Sequence, residues 1–111
     1  MSRRKSMGEV EQLLLLSVLR LKDEAYGVTM RREIEARTGR AVTLGAIYPT
    51  MDRLEKKGYV GSSMSEPTGE RGGRSRRYFR LTAAGLEALH TARDAFNSMW
   101  DGHEREPEVI Q

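Results

Sequence analysis

The sequence predicts a mainly α-helical fold with one small β-hairpin, and three observations lead to this expectation. Residues 43–58 have the pattern of a capped amphipathic helix, and a tight turn separates them from another helical segment. Two alternating segments then flank a loop rich in glycine and arginine, which indicates a hairpin with a long tip. The last part of the chain repeats apolar residues at helical spacing. This order is typical of a winged helix-turn-helix module followed by a C-terminal dimerisation helix.

Length and composition exclude several classes of protein. A chain of 111 residues forms one domain with one appended helix, which leaves little room for a deep enzyme cleft. Hydrophobic residues make up only 38% of the chain, so we expect a small hydrophobic core that a partner subunit helps to stabilise. No cysteine is present, which excludes disulfides and thiolate metal sites. The longest apolar run, Leu13–Leu16, is far below the roughly 20 residues that span a bilayer, so we expect a cytoplasmic protein without a membrane role.

The first predicted element is a helix over Glu9–Leu21, preceded by a flexible basic arm at residues 1–8. Apolar residues lie on nearly every face of this helix, which must therefore be covered on more than one side. A small winged domain covers one side. We expect the C-terminal helix or a second subunit to cover the rest, with Leu15 among the contacts.

The next elements form the predicted helix-turn-helix. Lys22–Glu24 has the character of a short polar turn, and a second helix runs from about Tyr26 to Thr38 with Gly39 as its terminator. Residues 39–42 allow only a sharp change of direction into the next helix. In such a motif the second helix enters the major groove of DNA by its N-terminal half.

The third helix begins after Thr43, whose hydroxyl can cap the first turn, and ends near Gly58, where a left-handed residue is favoured. Its inward face carries Ile47, Met51 and Leu54 at helical spacing. The outward residues are Tyr48, Pro49, Asp52, Arg53 and Lys56. We expect Tyr48 to be exposed, with its hydroxyl near a phosphate or its ring near a thymine methyl. For Arg53 and Lys56, DNA contact and ordinary surface charge both remain open.

Pro49 lies inside this helix, where a proline costs about 3 kcal/mol because it lacks a donor and its ring clashes with the preceding turn. The residue four positions back is Gly45, whose missing side chain relieves part of the clash and permits close approach to DNA. Glycine and proline both oppose helix formation, and residues that oppose the local structure often lie at functional sites.

The hairpin follows, with strands expected at 59–65 and 77–81 and a cationic tip between them. Residues 68–80 hold five arginines and a single acid, Glu70. A charge run alone can be a solvated loop, but on a hairpin beside a capped helix it favours contact with phosphates or the minor groove. Arg71 and Arg74 are expected at the tip, with Arg76 and Arg77 at the strand. Arg77 has the alternative of packing structurally.

The last helix is expected over residues 83–101, capped by Thr82. Its apolar stripe consists of Leu86, Leu89, Ala92, Phe96, Met99 and Trp100. Beyond a compact domain, the end of this stripe would leave an exposed patch that monomers rarely tolerate, so we expect dimerisation here. Residues 102–111 form an acidic tail.

No constellation in the sequence predicts catalysis or a cofactor. His90 and His103 are 13 residues apart without a cysteine or a carboxylate set nearby, which favours surface histidines over a metal site. The loop glycines do not precede a helix, as a phosphate-binding fingerprint requires. We expect a protein that is not an enzyme and has no cofactor.

Four stretches resemble the PadR family of bacterial transcriptional regulators: LLLLSVL at 13–19, AYG at 25–27, TLGAIYPTMDRLEKKGYV at 43–60 and ERGGRSRRYFRLTAAG at 70–85. The resemblance covers about residues 9–100. It implies a winged helix-turn-helix repressor of the short subgroup, dimeric through a single C-terminal helix. Some members sense small aromatic or cationic compounds, which a tryptophan of this helix sandwiches at the dimer interface. Trp100 is similar in lying on that element, near its end, although interface packing alone is the simpler role for it.

The sequence thus leads to one main hypothesis, a homodimeric repressor that binds an inverted-repeat operator in double-stranded DNA. The residues expected to contact DNA are Thr43, Gly45, Tyr48, Pro49, Arg53, Lys56, Arg71, Arg74 and Arg76. Those expected to serve dimerisation or an effector are Leu15, Leu89, Phe96, Met99 and Trp100. Two alternatives remain, namely a winged-helix adaptor that binds protein without DNA, and a sensor whose ligand site between the subunits is the primary function.

Overall fold

The computed structural model describes residues 7–65, 75–103 and 108–110 of the chain. The elements are helix α1 (Glu9–Leu21), a 3₁₀ turn (Lys22–Glu24), helices α2 (Gly27–Thr38) and α3 (Leu44–Lys56), strands β1 (Val60–Met64) and β2 (Arg77–Leu81), and helix α4 (Ala83–Trp100). This is a mostly helical protein with one antiparallel hairpin, as the sequence predicts. The expected basic arm falls on residues that the structure leaves undescribed, apart from Met7 and Gly8.

Local signals set the ends of the helices. Gly39 ends α2 in the left-handed region with φ of 73°, where a residue without Cβ is favoured. The Thr43 hydroxyl accepts a hydrogen bond from the Ala46 amide (3.1 Å) and caps α3. The Thr82 hydroxyl does the same for α4 through Gly85 (3.0 Å). Each cap satisfies an amide that has no partner inside its helix.

The core lies where α1, α2, α3 and the hairpin meet. Its buried members are Leu14, Leu15, Val18, Ala25, Met30, Ile34, Val42, Ile47, Met51, Leu54, Val60, Phe79 and Leu89. Helix α1 packs against α2, α3, α4 and β2. The surrounding elements of one protomer therefore cover most of this apolar helix.

Two residues expected to serve dimerisation, Leu15 and Leu89, are buried within the protomer. Leu15 is fully buried and Leu89 is 6% exposed, so neither side chain has surface left for a partner subunit. The reason is that the apolar faces of α1 are covered within the protomer to a greater extent than the sequence suggests. On α1, Leu16 and Leu19 are the large apolar residues that stay exposed, at 41% and 43%.

The hairpin is fixed to the helix-turn-helix by its stem. Val60 pairs with Leu81 and Ser62 pairs with Phe79. The Phe79 amide also donates a hydrogen bond to the Ala25 carbonyl (2.9 Å), just before α2. Strand β2 is thus bonded on one edge to β1 and on the other to the chain that enters α2.

Gly85 allows α4 to pack closely on the turn that follows α3. A Cβ at this position would lie 2.8 Å from Leu81 Cδ1 and 3.0 Å from the carbonyl carbon of Tyr59. Since the obstacle includes backbone, a side chain here forces α4 to move. The glycine therefore sets the distance between α4 and the winged domain.

We expect Gly85→Ala to lower the free energy of unfolding by about 1–3 kcal/mol, because overpacking outweighs the better helix propensity of alanine. Urea unfolding followed by circular dichroism measures the change. Gly61→Ala is the matched control, since a Cβ at Gly61 meets nothing within 4 Å. Equal stability of the two variants would show that α4 does not depend on this close approach.

Candidate nucleic-acid interface

Helix α3 presents two different faces. Ile47, Met51 and Leu54 are fully buried against the core. The opposite side exposes Gly45, Pro49, Arg53 and Lys56 in successive turns. The structure thus brings these four predicted residues together on one solvent-facing strip of α3.

Gly45 lies in open space at the start of this strip. A Cβ added there would meet only the Thr43 hydroxyl, at 3.9 Å. The described fold therefore gives no steric reason for a glycine at this position. The helix continues through Pro49, whose missing amide leaves the Gly45 carbonyl without its usual helical donor. Both features weaken the isolated helix and expose backbone on the same strip.

Arg53 is held along α3 by the side chain of Thr50. Its Nη2 donates to the Thr50 hydroxyl (3.2 Å), which in turn donates to the Ala46 carbonyl (2.8 Å). This chain of hydrogen bonds directs the guanidinium along the helix while the residue stays exposed. Lys56, one turn later, is also exposed.

The Tyr48 side chain is 36% exposed, so one part of it is accessible to solvent and the other part packs against the protein. Its hydroxyl end rests on Gly27, the first residue of α2. A Cβ at Gly27 would lie 2.8 Å from Tyr48 Cζ and 3.2 Å from Leu44 Cδ2. Gly27 lies in the AYG segment that carries the resemblance, but the sequence pattern predicts no role for it. The contact fixes the Tyr48 ring against the first turn of α2.

The hairpin is the wing of this fold, and strands β1 and β2 with Arg76 form its stem. This stem places a cation beside the first turn of α2. The Arg76 guanidinium lies 4.6 Å from the centroid of the Tyr26 ring, and the Tyr26 ring packs edge-on against Tyr78, with centroids 5.4 Å apart. A hydrogen bond with Tyr78, together with the nearby Tyr26 and Glu24, raises the pKa of Arg76. Arg76 is exposed, so its charge remains available at the surface.

The first turn of α2 therefore links Tyr48 of α3 with Arg76 of the wing stem, since Gly27 contacts the former and Tyr26 the latter. Arg71 and Arg74, the expected tip residues, lie outside the described residues. Arg77 takes the structural alternative, because it bonds to Asp52 and Glu55 of α3.

A second surface lies on α4, away from the core. Phe96, Met99 and Trp100 are 65%, 81% and 58% exposed. Beside them a groove of about 940 Å³ runs between α4, the start of α1 and the turn after α3, with Met7, Tyr59 and Ala88 in its walls. The predicted apolar stripe thus continues as an exposed patch next to a groove.

A salt bridge links α1 to the residue after α3, Lys57, which also lines this groove. The Glu11 carboxylate accepts from the Gly8 amide (2.9 Å) and from Lys57 Nζ (3.3 Å). Burial alone would raise the pKa of Glu11, but these two hydrogen bonds outweigh burial and lower it. Glu11 therefore stays ionised near neutral pH and connects the start of α1 to the end of α3.

Within residues 7–65, 75–103 and 108–110, no group of three or more histidine, aspartate or glutamate side chains could hold a metal ion. In the same ranges, every helix is too short or too polar to span a bilayer.

Comparison with known proteins identifies a family that matches this chain. The model of the transcriptional regulator PadR-like family matches residues 15–91. The transcriptional regulator Rv3488 of Mycobacterium tuberculosis is 35% identical over 77 residues, which is 69% of this chain and 67% of that protein.

Solved structures give the same result. A PadR family transcriptional regulator from Eggerthella lenta is 28% identical, with a TM-score of 0.65 over 85% of this chain and 81% of that one. A PadR family regulator from Clostridium difficile is 24% identical, with a TM-score of 0.69 over 85% and 93% of the two chains, and it supports the fold alone.

Proposed function

Because this chain belongs to the PadR-like family of transcriptional regulators, we propose that it is a sequence-specific DNA-binding repressor that acts as a homodimer on an inverted-repeat operator. The observation that carries the proposal is the exposed strip of α3, where Gly45, Pro49, Arg53 and Lys56 face solvent together. In this role the protein is a regulator and not an enzyme.

The strip suits entry into the major groove of DNA. The capped first turn after Thr43 and the bare backbone at Gly45 approach the groove floor, while Arg53 and Lys56 lie further along the helix near phosphates. Tyr48, held on Gly27, presents its free edge from the same end of the helix. Arg76, with Arg71 and Arg74 of the wing, contacts the flanking backbone.

Dimerisation supplies the second half of the interface. Phe96, Met99 and Trp100 form an exposed apolar patch of a kind that monomeric proteins rarely keep in water. Packing of two α4 helices through this patch creates a twofold axis. Two α3 helices then meet half-sites about one helical turn, or 10 base pairs, apart.

An effector site between the subunits completes the proposal. The groove beside Phe96 has room for a small molecule, and the nearby Trp100 ring offers a face for stacking or for contact with a cation. We propose a small aromatic or cationic compound as the effector, bound beside α4. Quenching of Trp100 fluorescence by planar cations tests this part, and unchanged emission at millimolar concentrations would speak against it.

Selection of binding sites from random duplexes, repeated at two salt concentrations, tests the proposed function. We expect an inverted repeat to be enriched, and affinity to fall by about 0.9 log units per log unit of salt for each phosphate contacted. An absence of any duplex complex at low salt, with co-purification of an acidic protein, would instead support the adaptor function.

A further inference from the structure

We propose that Arg77 is a positioning residue that locks the wing to the recognition helix α3 and does not itself contact DNA. This inference rests on the proposed function, since it concerns how the two DNA-contacting parts are held together. Arg77 is the first residue of β2 and directly follows Arg76. Its Nη1 donates to Asp52 Oδ1 (2.7 Å) and its Nη2 donates to Glu55 Oε1 (2.6 Å). We call these three residues the Arg77 bridge.

Both strands of the wing stem take part in this attachment. The Ser62 hydroxyl of β1 lies 3.0 Å from each oxygen of Glu55 and donates to that carboxylate. The Arg77 guanidinium carbon lies 4.9 Å from the centroid of the Phe79 ring, a core residue of β2. Glu55 thus holds β1 and β2 at once, and Phe79 anchors the bridge to the core.

The hydrogen bonds and packing of the Arg77 side chain argue against a direct phosphate contact. Both terminal nitrogens bond to carboxylates, one face of the guanidinium covers Phe79, and the side chain is only 26% exposed. Burial would lower the pKa of Arg77, but the hydrogen bonds to Asp52 and Glu55 outweigh burial and raise it. The guanidinium therefore stays charged near neutral pH.

The bridge also partly neutralises two carboxylates on the DNA-facing helix. Asp52 and Glu55 lie three residues apart on α3, one turn of helix, and next to Arg53 and Lys56. Two unpaired carboxylates at this place would repel the phosphates that α3 approaches. Arg77 pairs with both carboxylates and fixes the distance from the wing to the helix.

Arg77→Lys separates positioning from charge. Lysine keeps the positive charge, but its single ammonium group cannot present the planar fork that reaches two carboxylates in a fixed arrangement. We expect affinity for the selected operator to fall about tenfold, the size expected for loss of one charge-assisted hydrogen bond. Affinity for an unrelated duplex of equal length and the dependence on salt should not change.

Two further variants make the result decisive. Arg80→Lys is the matched control, because Arg80 lies on the same strand and pairs with an exposed carboxylate, Asp23; it should leave both affinities unchanged. Glu55→Gln removes the charge of one carboxylate of the bridge and so weakens it from the other side. It should reduce discrimination between operator and unrelated duplex, while it raises affinity for the unrelated duplex. Thermal unfolding confirms that each variant is folded.

Direct phosphate contact would give a different pattern. Arg77→Lys would then have little effect on either affinity, because lysine keeps the positive charge that contacts the phosphate. That result would overturn the proposal.

Hydrogen exchange gives a readout that does not depend on DNA. We expect amides of β1 and β2 to exchange faster in full-length Arg77→Lys than in the original protein, with no change in α1 and α2. If the original protein binds no duplex, the proposed function fails, yet faster exchange would still support the bridge. Unchanged exchange in the hairpin would overturn the bridge.

Discussion

Replacement of Phe96, Met99 and Trp100 together by glutamine should convert the proposed dimer into monomers and lower operator affinity at least about a hundredfold. The three side chains are each more than half exposed in the protomer, so their burial between subunits provides the main hydrophobic gain of association. A dimer binds its second half-site as an intramolecular event, which strengthens binding by about 10²–10⁴-fold. A monomer loses that advantage while its recognition helix stays intact.

Analytical ultracentrifugation and titration of the selected operator measure the two effects. Val109→Gln with Ile110→Gln is a suitable control, because these apolar residues are as exposed as the α4 patch but lie beyond the helix. The control should remain a dimer with full affinity. A triple variant that still sediments as a dimer would place the subunit interface elsewhere.

Replacement of Arg71 and Arg74 by alanine should weaken binding to every duplex alike. Each lost phosphate contact lowers the salt slope by about 0.9, which corresponds to about a 50-fold loss for the pair at 0.1 M salt. Sequence preference should not change, because phosphate contacts carry no direct sequence information. Fluorescence anisotropy with the operator and an unrelated duplex, at several salt concentrations, checks all three expectations.

Arg37→Ala with Arg93→Ala is the control for net charge. These arginines lie on α2 and α4, where Arg37 pairs with the partly buried Glu33 and Arg93 pairs with the exposed Asp94. Their removal changes the total charge equally. We expect the salt slope of this control to match that of the original protein. A similar loss in both double variants would mean that total charge, and not wing contact, governs affinity.

The order and limits of the elements could be predicted from the sequence because their signals are local. Thr43 and Thr82 lie immediately before their helices, and Gly39 and Gly58 follow helix ends with φ of 73° and 82°. Such signals act within one turn of chain. Neighbouring residues alone therefore suffice to locate them.

The partners of buried and charged side chains could not be predicted in the same way. Leu15 is covered by elements of its own protomer, and an apolar pattern does not say whether the covering surface belongs to the same chain. Arg77 reaches carboxylates 22 and 25 residues away, and Gly27 accommodates Tyr48 across two helices. These contacts depend on tertiary packing, which periodicity does not encode. Only the AYG segment gave a signal for Gly27, through the resemblance and without a physical role.

The half-site spacing of the selected operator gives the most direct test that two recognition helices act as one rigid twofold unit. Insertion of about five base pairs between the half-sites turns one of them to the opposite face of the DNA. We expect affinity measured by titration to fall to that of a duplex with a single half-site. Affinity unchanged by the insertion would contradict a dimer that reads both half-sites together.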